Sequence, residues 1–205
     1  MKLVSSNETK LKEFQRILPM MEILKGLDLP EVEGSSDQVI IYKSLAAGKG
    51  TVVEDTILII EGEEVIDIKW KMDELKNLPV GNTIKASWQV MLGYNTGTHI
   101  EMYKGVVNGI IIPDSTDTGY GFDPYFLPDG SDITLGKLEQ EGNKDNFSAR
   151  RNALIKLKKG FTYRDERIFN IPVWTGKYQN DISIPDSCTV IDSFKNNSNC
   201  TIKIG

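Results

Sequence analysis

The apolar and polar positions change rhythm several times in the first sixty residues. KLVSS is a short apolar run that stops in small polar residues, the pattern of a strand entering a turn. In NETKLKEFQRIL, the residues Leu11, Phe14, Ile17 and Leu18 recur at helical spacing, and Asn7 stands where an N-cap is needed. The start of such a helix offers unsatisfied N–H groups, which favour an anion at whatever the turn faces. MEILKGLDLP reads as a second strand, closed by Pro30 with Glu31 next. SSDQVIIYKSLAAGKG predicts a second helix, capped by Ser35, Ser36 or Asp37 and stopped by Gly48 and Gly50. GTVVEDTILII is rich in β-branched residues and predicts a third strand. The order β-α-β-α-β points to an α/β fold.

From residue 56 to about 112, strand patterns dominate. ILIIEG, NTIKASWQVMLGY and THIEMYKGVVNGIII read as antiparallel pieces, with IKWKMDELKNL as a helix between the first two. GYGFDPYFLPDG reads as an aromatic, glycine- and proline-rich loop. DNFSARRNALIKLKKG predicts a last helix with Leu154 and Leu157 on the same side as Arg150. Beyond Gly160 the chain is polar and strand-like, so the last forty or so residues are expected to be an appended β segment or a partly mobile tail. No internal repeat or low-complexity linker interrupts the pattern.

A chain of 205 residues is long enough for one domain with a sizeable core. Its net charge of −5 argues against duplex nucleic acid as a partner, because backbone binding needs a basic surface. A small phosphorylated ligand stays open, since a divalent cation can sit between carboxylates and phosphates. Cys188 and Cys200 show no metal-ligand spacing and read as reduced thiols of a cytoplasmic protein. Met1 runs straight into MKLVSSN with no long apolar core, so no signal peptide is expected, and no apolar run approaches a membrane span.

Four stretches could carry chemistry. Glu54 and Asp55 interrupt the third strand, and an unpaired ionised carboxylate is costly to bury. They are expected at a strand end, either as an acidic pair capping a turn or as metal ligand and general base. Ser5, Asn7 and Lys10 offer donors suited to phosphate, or a plain N-cap and a solvated lysine. Tyr120, Phe122, Tyr125 and Phe126 cluster around two glycines and Asp123-Pro124, for base stacking or for packing. Arg150 and Arg151 fall in the first turns of a helix, where cations oppose the dipole unless something anionic or carbonyl-rich is near. His99 is the only histidine and has no partner cluster, so Ser/His/Asp and Cys/His nucleophile systems are not expected.

Taken in order, these stretches resemble the motif set of the inosine triphosphate pyrophosphatase, or Ham1-like, family. The corresponding residues are Ser5-Ser6-Asn7-Glu8-Thr9-Lys10, Glu54-Asp55-Thr56, Gly119-Tyr120-Gly121-Phe122-Asp123-Pro124 and Ser148-Ala149-Arg150-Arg151-Asn152-Ala153-Leu154, with Glu31 and Lys43 also at matching places. The resemblance covers residues 1–160, the expected catalytic domain, and leaves 161–205 as a C-terminal extension. It implies an elongated mixed α/β sheet with flanking helices and two lobes around a central cleft. It implies Mg2+-dependent hydrolysis of non-standard purine nucleoside triphosphates (ITP, dITP, XTP) to monophosphate and pyrophosphate by a homodimer. On that reading Glu31 and Asp55 hold the metal or activate water, Asp55 is the general base, and Glu54 and Lys10 assist. Ser5, Asn7, Lys10 and Lys43 hold the triphosphate, and Thr56 is a further substrate-binding residue. Tyr120 and Phe122 sandwich the base beside Asp123, and Lys144 and Arg150 reach base or phosphate oxygens.

Three departures qualify the resemblance. The histidine of the family's S-H-R motif is Ala149 here, which leaves recognition of a 6-keto purine open. The alternatives are the same chemistry on pyrimidine or standard nucleotides, and a nucleotide-binding protein that has lost catalysis. The stretch IIEGEEVIDIKW lacks the glycine-proline loop expected after the third strand. The extension past Gly160 exceeds what the family needs.

Overall fold

A computed structural model describes residues 1–25, 29–65, 74, 81–113 and 115–178. The predicted β-α-β-α-β opening is present. β1 (Lys2–Ser5) leads into α1 (Glu8–Ile17), β2 (Glu22–Lys25), α2 (Ser36–Ala47) and β3 (Thr51–Ile60). β1 pairs in parallel with β2, Lys2 opposite Glu22, and with β3, Lys2 opposite Thr51. Parallel neighbours need a crossover, and the two helices supply it. Both helices start where side chains satisfy their free N–H groups. The Asn7 side chain accepts from the Lys10 amide, and Ser35 forms a capping box with Gln38. Leu11 and Phe14 of α1, and Val39 and Ile40 of α2, are buried, as their helical spacing requires.

The chain then turns antiparallel. β4 (Glu63–Val65) folds back on β3, and β5 (Ile84–Asn95) and β6 (His99–Ile111) are long strands. β7 (Phe126–Pro128) and β8 (Arg164–Arg167) each pair antiparallel with β6. The sheet runs β2-β1-β3-β5-β6-β7, with β4 beside β3 and β8 beside β6. Contacts group the chain into two compact units. The first holds Met1–Asp55, Met91–Lys104 and Lys156–Gly205, and the second holds Thr56–Val90 and Gly105–Ile155. Phe14, Ile40, Met91 and Ile100 are buried in the first, and Leu58, Trp88, Phe126 and Leu135 in the second.

Four expectations are corrected or completed here. Glu54 and Asp55 are not at a strand end: they are the fourth and fifth residues of ten-residue β3, which runs on to Ile60. The predicted last helix is broken at Ser148 into a 3-10 turn, Lys144–Phe147, and a helix beginning at Ala149. A short helix α3 (Leu135–Gln140), capped by Thr134, occupies a stretch without a clear pattern, and the longer one, α4 (Ala149–Lys159), follows. The helix expected over 68–78 lies outside the described residues except for Glu74.

The approach of α4 to β6 is set by Gly105. A Cβ there would come within 1.9 Å of the Ala149 carbonyl oxygen and 2.5 Å of the Ala153 nitrogen. Only a residue without a side chain lets the first turn of α4 lie this close, and Ala149 is completely buried against it.

Candidate active site

In the first unit, α1, the turn before α2, α2 and β3 bring five charged side chains together. The turn after β1 is organised by its own side chains: the Asn7 amide donates to Ser5 Oγ at 3.2 Å, and Asn7 Oδ1 accepts from the Lys10 amide at 3.1 Å. That cap fixes where α1 starts, and Lys10 then reaches β3. Its Nζ lies 2.7 Å from Glu54 Oε2. Glu54 is only 4 % exposed, so its charge is tolerable in mid-strand because an ammonium meets it. On α2, Lys43 pairs with Glu31, and the same Nζ is 3.9 Å from Asp55 Oδ1.

The group holds three carboxylates (Glu31, Glu54, Asp55) against two ammoniums (Lys10, Lys43). Burial raises the Asp55 pKa, Lys43 and Lys10 draw it back, Glu54 and Glu31 add to the rise, and the value stands at about 6. Burial alone would lower the Lys43 pKa, but Asp55 and Glu31 outweigh it and the net shift is upward. Lys43 therefore stays cationic while Asp55 is poised to exchange a proton near neutrality.

In the second unit, another charged group gathers around an indole. Lys144 Nζ is 2.6 Å from Asp123 Oδ2, and both residues are buried. Arg150, in the first turn of α4 and 4 % exposed, donates from Nη2 to Thr56 Oγ1 at 3.3 Å. Lys144 Nζ and the Arg150 guanidinium lie 5.5 and 5.7 Å from the Trp88 ring centroid, within cation–π range. Phe122 meets Trp88 edge-on at 5.9 Å and Phe126 at 5.8 Å. The buried Trp88 Nε1–H meets no acceptor among the described residues, which leaves a donor whose desolvation is uncompensated.

The sequence-derived residues thus fall into two sets. Lys10, Glu31, Lys43, Glu54 and Asp55 form the first, with Ser5 and Asn7 holding the adjoining turn. Thr56, Phe122, Asp123, Lys144 and Arg150 form the second. Tyr120 differs from its partner in the aromatic loop: it is 55 % exposed, whereas Phe122 is packed edge-on among aromatic rings. Sequence reasoning passed over Trp88, although an inward-facing Trp in the alternating stretch KASWQV was a usable signal. It also passed over Ser148 as the start of α4, where Ser148 Oγ accepts from the Arg151 amide at 3.1 Å.

The fold is a mixed α/β sheet that carries a carboxylate–lysine group in the first unit and an aromatic–cation group in the second. Comparison with known proteins makes the assignment specific: the Ham1 family model matches residues 1–160, and the chain belongs to that family. It is 31% identical to an inosine triphosphate pyrophosphatase of Puccinia graminis f. sp. tritici, over 78% of this chain and 96% of the relative. It is 29% identical to a dITP/XTP pyrophosphatase of Korarchaeum cryptofilum, over 75% of this chain and 91% of the relative. The Staphylococcus aureus Ham1 protein superposes with a TM-score of 0.59 at 22% identity, over 78% of this chain and 98% of that one. That likeness supports the same fold, an open mixed sheet with flanking helices.

Proposed function

We propose that this protein hydrolyses non-standard purine nucleoside triphosphates, ITP, dITP and XTP, to the monophosphate and pyrophosphate, removing them from the nucleotide pool. The observation that carries the reading is the Glu31–Lys43–Asp55 and Lys10–Glu54 arrangement, in a chain whose relatives bear pyrophosphatase names. Two lysines paired with carboxylates support this reading, because such cations can exchange their partners for phosphate oxygens.

The donor set also suits Mg2+, which takes few protein carboxylates and completes its shell with water and substrate phosphates. Among the described residues no group of three or more His, Cys, Asp or Glu is arranged to hold a metal ion, so the metal of this proposal would rest on two carboxylates and on the substrate's own phosphates. Glu31 and Asp55 would hold it, and when bound it would supply charge neutralisation along the phosphates. Asp55 takes the proton of the attacking water. Glu54, fixed by Lys10, keeps that lysine oriented, and Lys43 offsets phosphate charge. Ser5 and Asn7 complete the phosphate contacts, and Thr56 is a further substrate-binding residue beside Arg150. Phe122 and Tyr120 contribute aromatic surface for the base, with Asp123, Lys144 and Arg150 as its polar partners. We further propose a cytoplasmic homodimer. No helix among the described residues is long and apolar enough to cross a membrane, and nothing points to nucleic acid.

Ala149 favours a second reading at the level of the base. It is wholly buried and offers no side-chain donor where the family motif has histidine, and one lost hydrogen bond to a neutral group is worth about 1 kcal/mol. Base choice is therefore expected to be looser than in relatives that keep the histidine. Pyrophosphate release across ITP, XTP, dITP, ATP, GTP, UTP and dUTP, with Mg2+ and with chelator, tests both readings. Preference for ITP and XTP supports the purine reading; preference for UTP or dUTP replaces it, and release unaffected by chelator removes the metal.

A further inference from the structure

The family match stops at residue 160, yet the chain described past it stays attached to the first unit. β8 pairs with β6, with His99 opposite Arg167 and Met102 opposite Arg164. Arg164 also reaches the first turn of α2, its Nη1 3.0 Å from Asp37 Oδ2. The segment 172–178 then closes on two places, both of them next to residues of the acid–lysine group. The Tyr42 hydroxyl donates to the Pro172 carbonyl at 2.7 Å, and the Tyr42 and Trp174 rings stand 5.2 Å apart. The Glu33 amide donates to the Lys177 carbonyl at 2.8 Å, and Val32 bridges Tyr178 in antiparallel fashion. The hook is closed on itself: Trp174 Nε1 donates to the Lys177 carbonyl at 2.9 Å, and a Cβ on Gly176 would come within 2.5 Å of the Trp174 ring.

Tyr42 immediately precedes Lys43, and Val32 and Glu33 immediately follow Glu31. A segment that only covered apolar surface would need side-chain packing and nothing more. Here the connections at Val32 and Glu33 join backbone to backbone, and the Tyr42 hydroxyl meets the Pro172 carbonyl, which fixes main-chain position as well as burial. Burial, with Tyr178 near, raises the Tyr42 pKa, so the hydroxyl remains a donor at neutral pH. The turn carrying Glu31 has no helix or long strand of its own to hold it. Among the described residues, the Glu33 amide of this turn finds its backbone partner in the extension.

We infer that residues 172–178 are a positioning strap that sets the Glu31–Lys43 pair, and through it the affinity of the site for its triphosphate. The kinetic half of this inference rests on the proposed pyrophosphatase activity, and the structural half does not. The test uses the full chain with Trp174→Ala, the conservative Trp174→Phe, Tyr42→Phe as a minimal change, and Phe169→Ala as control, since Phe169 is 88 % exposed. In Trp174→Ala, amide exchange at residues 31–33 is expected to rise about tenfold or more, as local opening becomes easier. KM for ITP is expected to rise about fivefold, equivalent to one neutral hydrogen bond, with kcat within about twofold. Trp174→Phe restores most of both, Tyr42→Phe shows a smaller shift in the same direction, and Phe169→Ala changes neither. Unchanged exchange at 31–33 in Trp174→Ala overturns the strap. Faster exchange with an unmoved KM overturns its link to the site. A wild-type chain inert toward ITP counts against the activity alone, while the exchange comparison still decides the strap.

Discussion

Asp55 titrates near 3.8 in an unfolded chain and at about 6 in the folded one, chiefly because burial disfavours its charge. Between those values the folded protein binds more protons than the unfolded one, so stability falls as pH rises through about 4 to 6. Above that window the ionised carboxylate is a standing cost, fully present at neutral pH and absent in acid. In metal-free protein, Asp55→Asn is therefore expected to raise the melting temperature at about pH 7.5, by a free energy of at most about 3 kcal/mol, and to leave it unchanged near pH 3.5. The same variant is expected to lose nearly all turnover. Thermal unfolding in chelator at the two pH values checks this; destabilisation at both would mean that Asp55 holds the fold together.

At the scale of elements, β3 and α4 show what local pattern can and cannot reveal. The capping residues Asn7 and Ser35, the helical faces and the parallel β-α-β-α-β order were legible because each depends on neighbours a few residues away. The middle of β3 was not. A mid-strand Glu54 makes sense only once Lys10, far away in sequence, is known to meet it, so the sequence pattern placed the pair at a strand end. Trp88 was missed for the same reason: its two cations come from the 3-10 turn and from α4. The candidate charged residues themselves were legible, since motif spacing identified them; the ion pairs joining them were not. If the indole face holds Lys144 and Arg150, Trp88→Phe is expected to keep a usable site and Trp88→Leu to cost about tenfold more in kcat/KM, the equivalent of one to two cation–π contacts. Equal activity in the two variants, with melting temperatures matched, would deny the ring that role.

At the scale of the whole molecule, the expected boundary at residue 160 marks the end of family likeness, while β8 and the 172–178 hook pack with the first unit. Composition read this stretch as polar and strand-like, and β8 agrees. Its docking on α2 and on the Glu31 turn depends on contacts more than a hundred residues apart in sequence, which no local pattern encodes. The two charged groups differ in chemistry: carboxylates and lysines gather in the first unit, and an indole with two cations in the second.

The most direct test of this account is 31P NMR of ITP incubated with the wild-type protein and Mg2+. Signals of inosine monophosphate and pyrophosphate, nearly absent with Asp55→Asn, are the predicted result. Release of inorganic phosphate with inosine diphosphate, or an Asp55→Asn protein as active as wild type, would contradict it.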